Sequence, residues 1–527
     1  MLPQALALSA SSLLQDVALE SLLALLEQVV ASQAVDFHEF LGMLQSRVLS
    51  TASNKHAVYN IARCIAVITA ATTPEHRQGV VTETLASLQG METPQEQEAL
   101  KKVQLALLVS GELGRRIDLS TITVEGSTTT AADTLQEIYM GYFESPSEDL
   151  KYAAAYALGR AAVGAQSKFL PAIVDALEKN NQKKQYLLLS ALRGFIQCSY
   201  QQSGGDSRIA TSLPVIMPHL ETHAADAEEG VRTMVAECLG SLICMQPGPV
   251  LERVQAMVAA HSTISVDDET FNTTDDTSKT NALICWTAAS SMKLAISGKA
   301  DPAVLGTYMS SLLSLLQQKE LSVRNAALLM VYSAVHHMPQ LLVGGDNSNS
   351  NIMKELILPT LYEVAELKLT RKVDLGPFKH TVDDALPLRK AALSIFATCL
   401  ETLPASLDIA AFLPVLTKAL GDVEDVQLQA HQIVLTMCSR QPTYLVASVE
   451  SLVEPLEKTI HKKQGQKTGT ELERLNDWIK SALRAMLALS KIENGACLNN
   501  RKFAEFQERT WANAKFAPVL KALEEER

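Results

Sequence analysis

Few residues of this chain have the types and spacing that chemistry needs. Gly111-Glu112-Leu113-Gly114 lacks the glycine spacing that cradles a phosphate, and Gly298-Lys299 is followed by Ala300 where a nucleotide-binding loop requires a hydroxyl. No Gly-x-Ser-x-Gly elbow presents a nucleophile. His219 and His223 stand one helical turn apart and could begin a metal site. Glu221 is misplaced for a His-Glu-x-x-His arrangement and no third ligand is in view, so they read as an interhelical or surface pair. Adjacent His336 and His337 point to different faces of one helix, which leaves at most one of them buried. Cys64, Cys198, Cys238, Cys244, Cys285, Cys399, Cys438 and Cys497 show no short paired spacing and read as buried, reduced thiols. What remains is recognition chemistry, in the basic stretch Glu366 to Ala392. The expectation is a chain that is not an enzyme and uses neither metal nor cofactor.

In that stretch the apolar period drops from helical to two. Leu367, Leu369 and Val373 alternate with polar neighbours, and Phe378 and Val382 flank Thr381. Asp374-Leu375-Gly376-Pro377 separates the two runs and supplies a turn. A four-residue connection then pairs Val373 with Phe378, Thr370 with Thr381, Leu369 with Val382 and Arg371 with His380. It also places Lys372 opposite Lys379, a like-charge pair that calls for an acidic partner.

The flanking sequence reads as helix throughout. The 527 residues exceed what one compact core holds, and 47% hydrophobic residues with 5% aromatics point to an all-α array. A net charge of −12 argues against a general nucleic-acid surface. Residues 1–30 resemble a signal peptide only superficially, since there is no basic leader and Asp16, Glu20 and Glu27 break the apolar face as an amphipathic helix would. No other segment approaches a membrane span, so no membrane partner is expected. The sequon Asn272-Thr273-Thr274 reads as an ordinary loop.

A pattern of an apolar residue, a base and small residues entering a helix recurs at Asp149–Ala154, Gly230–Val235, Ser322–Ala327 and Pro387–Ala392. Weaker copies begin near His56, Lys102, Tyr186, Asn281, Gln427 and Ser481. The step of roughly 40 to 50 residues is that of HEAT and armadillo helix pairs. The fold predicted is an all-α, HEAT/armadillo-like superhelical solenoid with one short β-hairpin insertion. It divides into repeats over 1–366, the hairpin over 367–384, and further repeats with a cap over 385–527, where Phe503, Phe506, Trp511, Phe516 and Val519 recur at helical spacing. Irregular loops are expected at 125–130, 266–278 and 344–350, and a basic one over 461–467.

The run from Lys372 to Ala392, with GPFKHTVDD followed by LRKAA, resembles the C-terminal half of the cullin-associated, neddylation-dissociated proteins, also called TATA-binding-protein-interacting proteins. IARCIAVITA from Ile61, GELGRRIDLS from Gly111, SPSEDLKYAAAYALG from Ser145, KKQYLLLSAL from Lys183, EEGVRTMVAECLG from Glu228 and LVEPLEKT from Leu452 follow in the family's order. The resemblance implies a scaffold that binds the N-terminal region of a cullin, competes there with a substrate adaptor, and so exchanges adaptors on cullin-RING ubiquitin ligases in cytoplasm and nucleus. It implies Lys368, Arg371, Lys372, Lys379 and His380 as charged contacts and Leu375 and Phe378 as apolar anchors. Family members are usually more than twice this length. A fragment, a complete product and one half of a split pair, with a separate N-terminal half as a further partner, all stand as readings. The alternative function is another HEAT scaffold, a transport receptor or a phosphatase-type scaffold; transport receptors would be expected to carry acidic inner-helix runs, and no helix here does.

Overall fold

The computed structural model describes residues 2–11, 13–50, 55–89, 96–124, 128–179, 182–203, 207–262, 276–343, 352–374, 379–463, 465 and 468–525. The sequon and, of the expected loops, residues 125–127, 266–275, 344–350, 464 and 466–467 lie outside them. The chain forms two compact units, Met1–Gln246 and Pro247–Arg527.

In the first unit the helices Asp16–Ala31, Lys55–Ala71, Gln97–Arg116, Glu148–Ala161, Gln182–Ser203 and Glu229–Met245 stack each on the next. A second layer, including Pro74–Leu88, Ala131–Tyr142, Gln166–Glu178 and Ser207–His223, packs against them. The second unit repeats this with Asp276–Ser297, Leu321–His337, Leu386–Thr402, Glu424–Arg440 and Thr470–Lys491 as its stack. All ten copies of the recurring pattern fall on stacked helices. Small residues explain why. Ala153, Ala154, Ala157 and Ala161 are fully buried along Glu148–Ala161, and a Cβ on Gly111 would lie 2.4 Å from Ala157 Cα, so neighbouring backbones meet directly there.

The amphipathic N-terminal reading holds: Asp16–Ala31 buries Leu19, Leu22, Leu23, Leu26 and Val30 and leaves Glu20 and Glu27 exposed. At the other end Phe503, Phe506 and Phe516 are buried beneath the last helices. Six cysteines are buried and Cys244 and Cys438 half-buried, and all eight are free thiols; burial pushes Cys238 and Cys399 up to about 12. His219 lies 4.0 Å from Glu178 and His223 Nδ1 lies 2.8 Å from Gln185 Nε2, an interhelical pair. His336 and His337 are both exposed.

The base of the recurring pattern has a structural role that its spacing alone does not disclose. Arg232, Arg324 and Arg389 are buried and each ties its helix to a neighbouring segment: Arg232 Nη1 donates to the Asp226 and Ala227 carbonyls of the connection preceding its helix at 2.6 and 3.0 Å, and Arg324 Nη2 to Glu363 Oε1 on helix Leu358–Glu366 at 3.1 Å. A second buried charge sits in the first unit. Glu112 is completely buried, with guanidinium nitrogens of Arg116, Arg160, Arg63 and Arg115 at 2.7, 3.6, 3.7 and 3.9 Å and the Tyr156 hydroxyl donating to Oε1 at 2.5 Å. Burial opposes its ionisation, yet the four arginines outweigh that and hold its carboxyl down at about 2.

Candidate partner-binding ribbon

The ribbon follows helix Leu358–Glu366 and precedes helix Leu386–Thr402. Strand β1 spans Thr370–Asp374 and β2 spans Lys379–Asp383. They pair antiparallel, Thr370 opposite Asp383, Arg371 opposite Val382, Lys372 opposite Thr381, Val373 opposite His380 and Asp374 opposite Lys379. The period-two reading located the ribbon, but its register is corrected. The connection falls at 375–378, one residue later than expected, so Lys372 and Lys379 do not face each other, nor do Arg371 and His380 or Thr370 and Thr381. Lys379 instead enters the ladder opposite Asp374.

Several bonds hold the register at the base of the ribbon. The Leu369 amide donates to Asp383 Oδ1 at 3.0 Å and the Asp384 amide to the Leu369 carbonyl at 3.0 Å. Asp383 Oδ1 also accepts from the Ala385 amide at 3.1 Å, which ties the end of β2 to the start of the following helix. Beneath these bonds lies Arg389, 0% exposed. Its Nη1 donates to the Leu367 carbonyl at 2.7 Å and sits 2.7 Å from Asp383 Oδ2, while Nη2 donates to Asp422 Oδ1 at 3.2 Å. One guanidinium thus fastens both ends of the ribbon and the next inter-helix loop, using the planar fork that only arginine has. Partial burial disfavours a charged Asp383, but the Leu369 amide and Arg389 more than offset this and hold its carboxyl below the usual range.

Of the residues named from sequence, Lys368 is exposed at the foot of β1, with Nζ 3.4 Å from Asp422 Oδ2. Arg371 is exposed and its Nε donates to Asp384 Oδ2 at 2.6 Å. Lys372 is exposed on the opposite face of β1. Lys379 and His380 take the first two positions of β2, whereas Leu375 and Phe378 lie outside the described residues. Thr370, Lys372 and Thr381 on one face and Arg371 and Val382 on the other are all exposed, so the ribbon does not fold flat onto the helices. Asp383, Arg389 and Asp422 were missed from sequence. The signal was present, since Arg389 occupies the base position of the repeat and the next connection holds an acid.

Residues 351–510, which contain the whole ribbon, match the TIP120 family model, described as TATA-binding protein interacting (TIP20). The chain is 32% identical over 519 residues to Cullin-associated NEDD8-dissociated protein 1 of Dictyostelium discoideum, covering 97% of this chain and 38% of that protein. It is 34% identical over 507 residues to the protein of the same name from Arabidopsis thaliana, covering 93% and 38%. A relative from Emericella nidulans, 26% identical over 69% of this chain and 30% of its own length, is named as the C-terminal part of such a protein. This chain is a relative of the cullin-associated NEDD8-dissociated proteins, in their C-terminal part. It spans 38% of the length of the first two relatives. The crystal structure of the karyopherin Kap121p bound to the SUMO protease Ulp1p aligns with a TM-score of 0.51 and 16% identity, covering 98% of this chain and 48% of that one. At that identity the likeness shows the fold alone, a HEAT-type helical repeat. Among the described residues no helix is long and apolar enough to cross a membrane.

Proposed function

We propose that this chain binds the N-terminal region of a cullin through the ribbon and acts as a substrate-adaptor exchange factor in cullin-RING ubiquitin ligase assembly, in cytoplasm and nucleus. The observation that carries the reading is a basic ribbon exposed on both faces and fastened at its base by Arg389, within the segment that matches the family model. A fastened base lets a two-stranded element, marginal by itself, keep its shape for docking. Lys368, Arg371, Lys372, Lys379 and His380 supply charge to an acidic surface, and Leu375 and Phe378 the apolar anchors. Occupying the adaptor's place excludes the adaptor sterically, and exchange then needs no bond-making chemistry. The N-terminal part of the relatives, which this chain does not span, is a further candidate partner, as a separate polypeptide.

Lys372→Glu with Lys379→Glu is the direct test. Lys372 is exposed opposite Thr381, so reversal there should cost the fold about 0 to 1 kcal/mol, and reversal at Lys379, which puts a second acid at the register position across from Asp374, about 0.2 to 1 kcal/mol more. Affinity for a cullin N-terminal region, measured by calorimetry at several salt concentrations, should fall about tenfold or more, with a shallower salt dependence. Unchanged affinity and unchanged salt slope would remove the ribbon from the interface.

A further inference from the structure

The GELGRRIDLS run does not contribute to the ribbon, yet it builds a second charged feature more than 200 residues earlier in the chain. Its Arg115 and Arg116 line a cleft of about 640 Å³ in the first unit, together with Arg77, Glu27, Asp118 and Gly164. Arg115 and Arg116 share the buried Glu112 with Arg63 and Arg160, four guanidinium groups on one carboxylate, and their side chains are only 12 to 25% exposed. Arg77 adds a fifth. Its Nε is buried without a hydrogen-bond partner, and its side chain makes no ion pair or hydrogen bond among the described residues. Against these five stand Glu112, Glu27 and Asp118. Asp118 Oδ1 is already engaged by the Ser120 amide and hydroxyl at 2.9 and 2.5 Å. In a chain carrying a net charge of −12 the lining of this cleft, three arginines against Glu27 and Asp118, is net positive, with the Glu112 cluster adding further guanidinium groups behind it. Partly desolvated charge of one sign is costly unless a counter-charge answers it.

We propose that the cleft lined by Arg77, Arg115 and Arg116 binds a phosphate-bearing dianion. The lining is net positive, Arg77 has no internal partner among the described residues, and guanidinium forks suit tetrahedral oxyanions through paired N–H donors. Gly164 holds one wall close. A Cβ there would meet the Gly114 carbonyl oxygen at 2.1 Å, so the connection after Glu148–Ala161 can approach the Arg-bearing helix end only with glycine at that position. The phosphate could be carried by a free metabolite or by a modified side chain, and the two sources share this chemistry.

The test is calorimetric titration of the full chain with pyrophosphate, and separately with end-blocked phosphoserine, at constant ionic strength. Wild type should bind at least one of the two with a dissociation constant below about 1 mM. Arg77→Ala should weaken that binding about tenfold or more, as loss of one charged hydrogen-bonding group does, with Arg77→Lys intermediate. The thermal midpoint of Arg77→Ala without ligand should match wild type, because Arg77 holds nothing in place internally. Arg501→Ala, which removes an exposed arginine paired with Glu505 in the last repeats, should bind as wild type does. Binding of pyrophosphate alone assigns a free anion, and binding of phosphoserine alone a modified side chain. Absence of binding of either at about 10 mM, or equal loss in Arg77→Ala and Arg501→Ala, overturns the proposal.

Discussion

Arg389→Ala is expected to lower the stability of the Pro247–Arg527 unit by about 3 to 5 kcal/mol, the cost of breaking a buried charge network from one side. The substitution strands the Asp383 and Asp422 carboxylates, whose side chains are 14% and 6% exposed, and takes the donor from the Leu367 carbonyl. Arg389→Lys should recover less than half of the loss, because a single ammonium cannot meet two carboxylates and a carbonyl in the plane that the guanidinium fork spans. Urea unfolding gives the magnitude. Hydrogen exchange gives the location, with amides of β1 and β2 exchanging faster in both variants than in wild type. A loss below about 0.5 kcal/mol, in the range of ordinary surface changes, would mean that the ribbon's base is held by something other than Arg389.

Glu112→Gln should be comparably damaging to the Met1–Gln246 unit while preserving side-chain shape. Four arginines lose their shared carboxylate and the Tyr156 hydroxyl loses a charged acceptor. The same group predicts an acid limb. Its folded value of about 2 lies below the unfolded one of about 4.3, so its stabilisation is fully present above the unfolded value. It is then lost progressively as pH falls from about 5 towards 2, and amounts to something on the order of 3 kcal/mol. Thermal midpoints of wild type should therefore fall more steeply over that interval than those of Glu112→Gln. Parallel curves would show that Glu112 contributes no linkage.

These two residues also mark what was legible in the sequence. The stacked helices were readable because their spacing and small residues are a direct imprint of close helix contact, as at Gly111 against Ala157. The ribbon was readable because a change of period cannot be produced by a helix. Its register was not. The turn residues 374–377 suggested one pairing, while the observed one is accompanied by bonds from Asp383 and Arg389 at the base, a tertiary constraint that local turn chemistry does not encode. Glu112 stayed hidden for a similar reason. Within Gly111-Glu112-Leu113-Gly114 it looked like part of a failed glycine loop, whereas the glycines serve helix contact and the carboxylate serves arginines drawn from three helices. Lys368, Arg371 and Lys372 were recognisable as exposed bases, but two of them spend part of their charge on Asp422 and Asp384, which sequence spacing did not suggest.

The central claim is that the ribbon holds a cullin where an adaptor would sit. It is tested most directly by a competition titration of substrate adaptor into a preformed complex of cullin and this chain, following release of the chain by fluorescence anisotropy. The variant carries Lys372→Glu, Lys379→Glu, Leu375→Ala and Phe378→Ala. The account predicts that adaptor and wild-type chain displace each other on the cullin, and that the variant binds at least tenfold more weakly and no longer raises the adaptor concentration needed for half-occupancy. A stable ternary complex of cullin, adaptor and wild-type chain, or a variant that competes as wild type does, would contradict it.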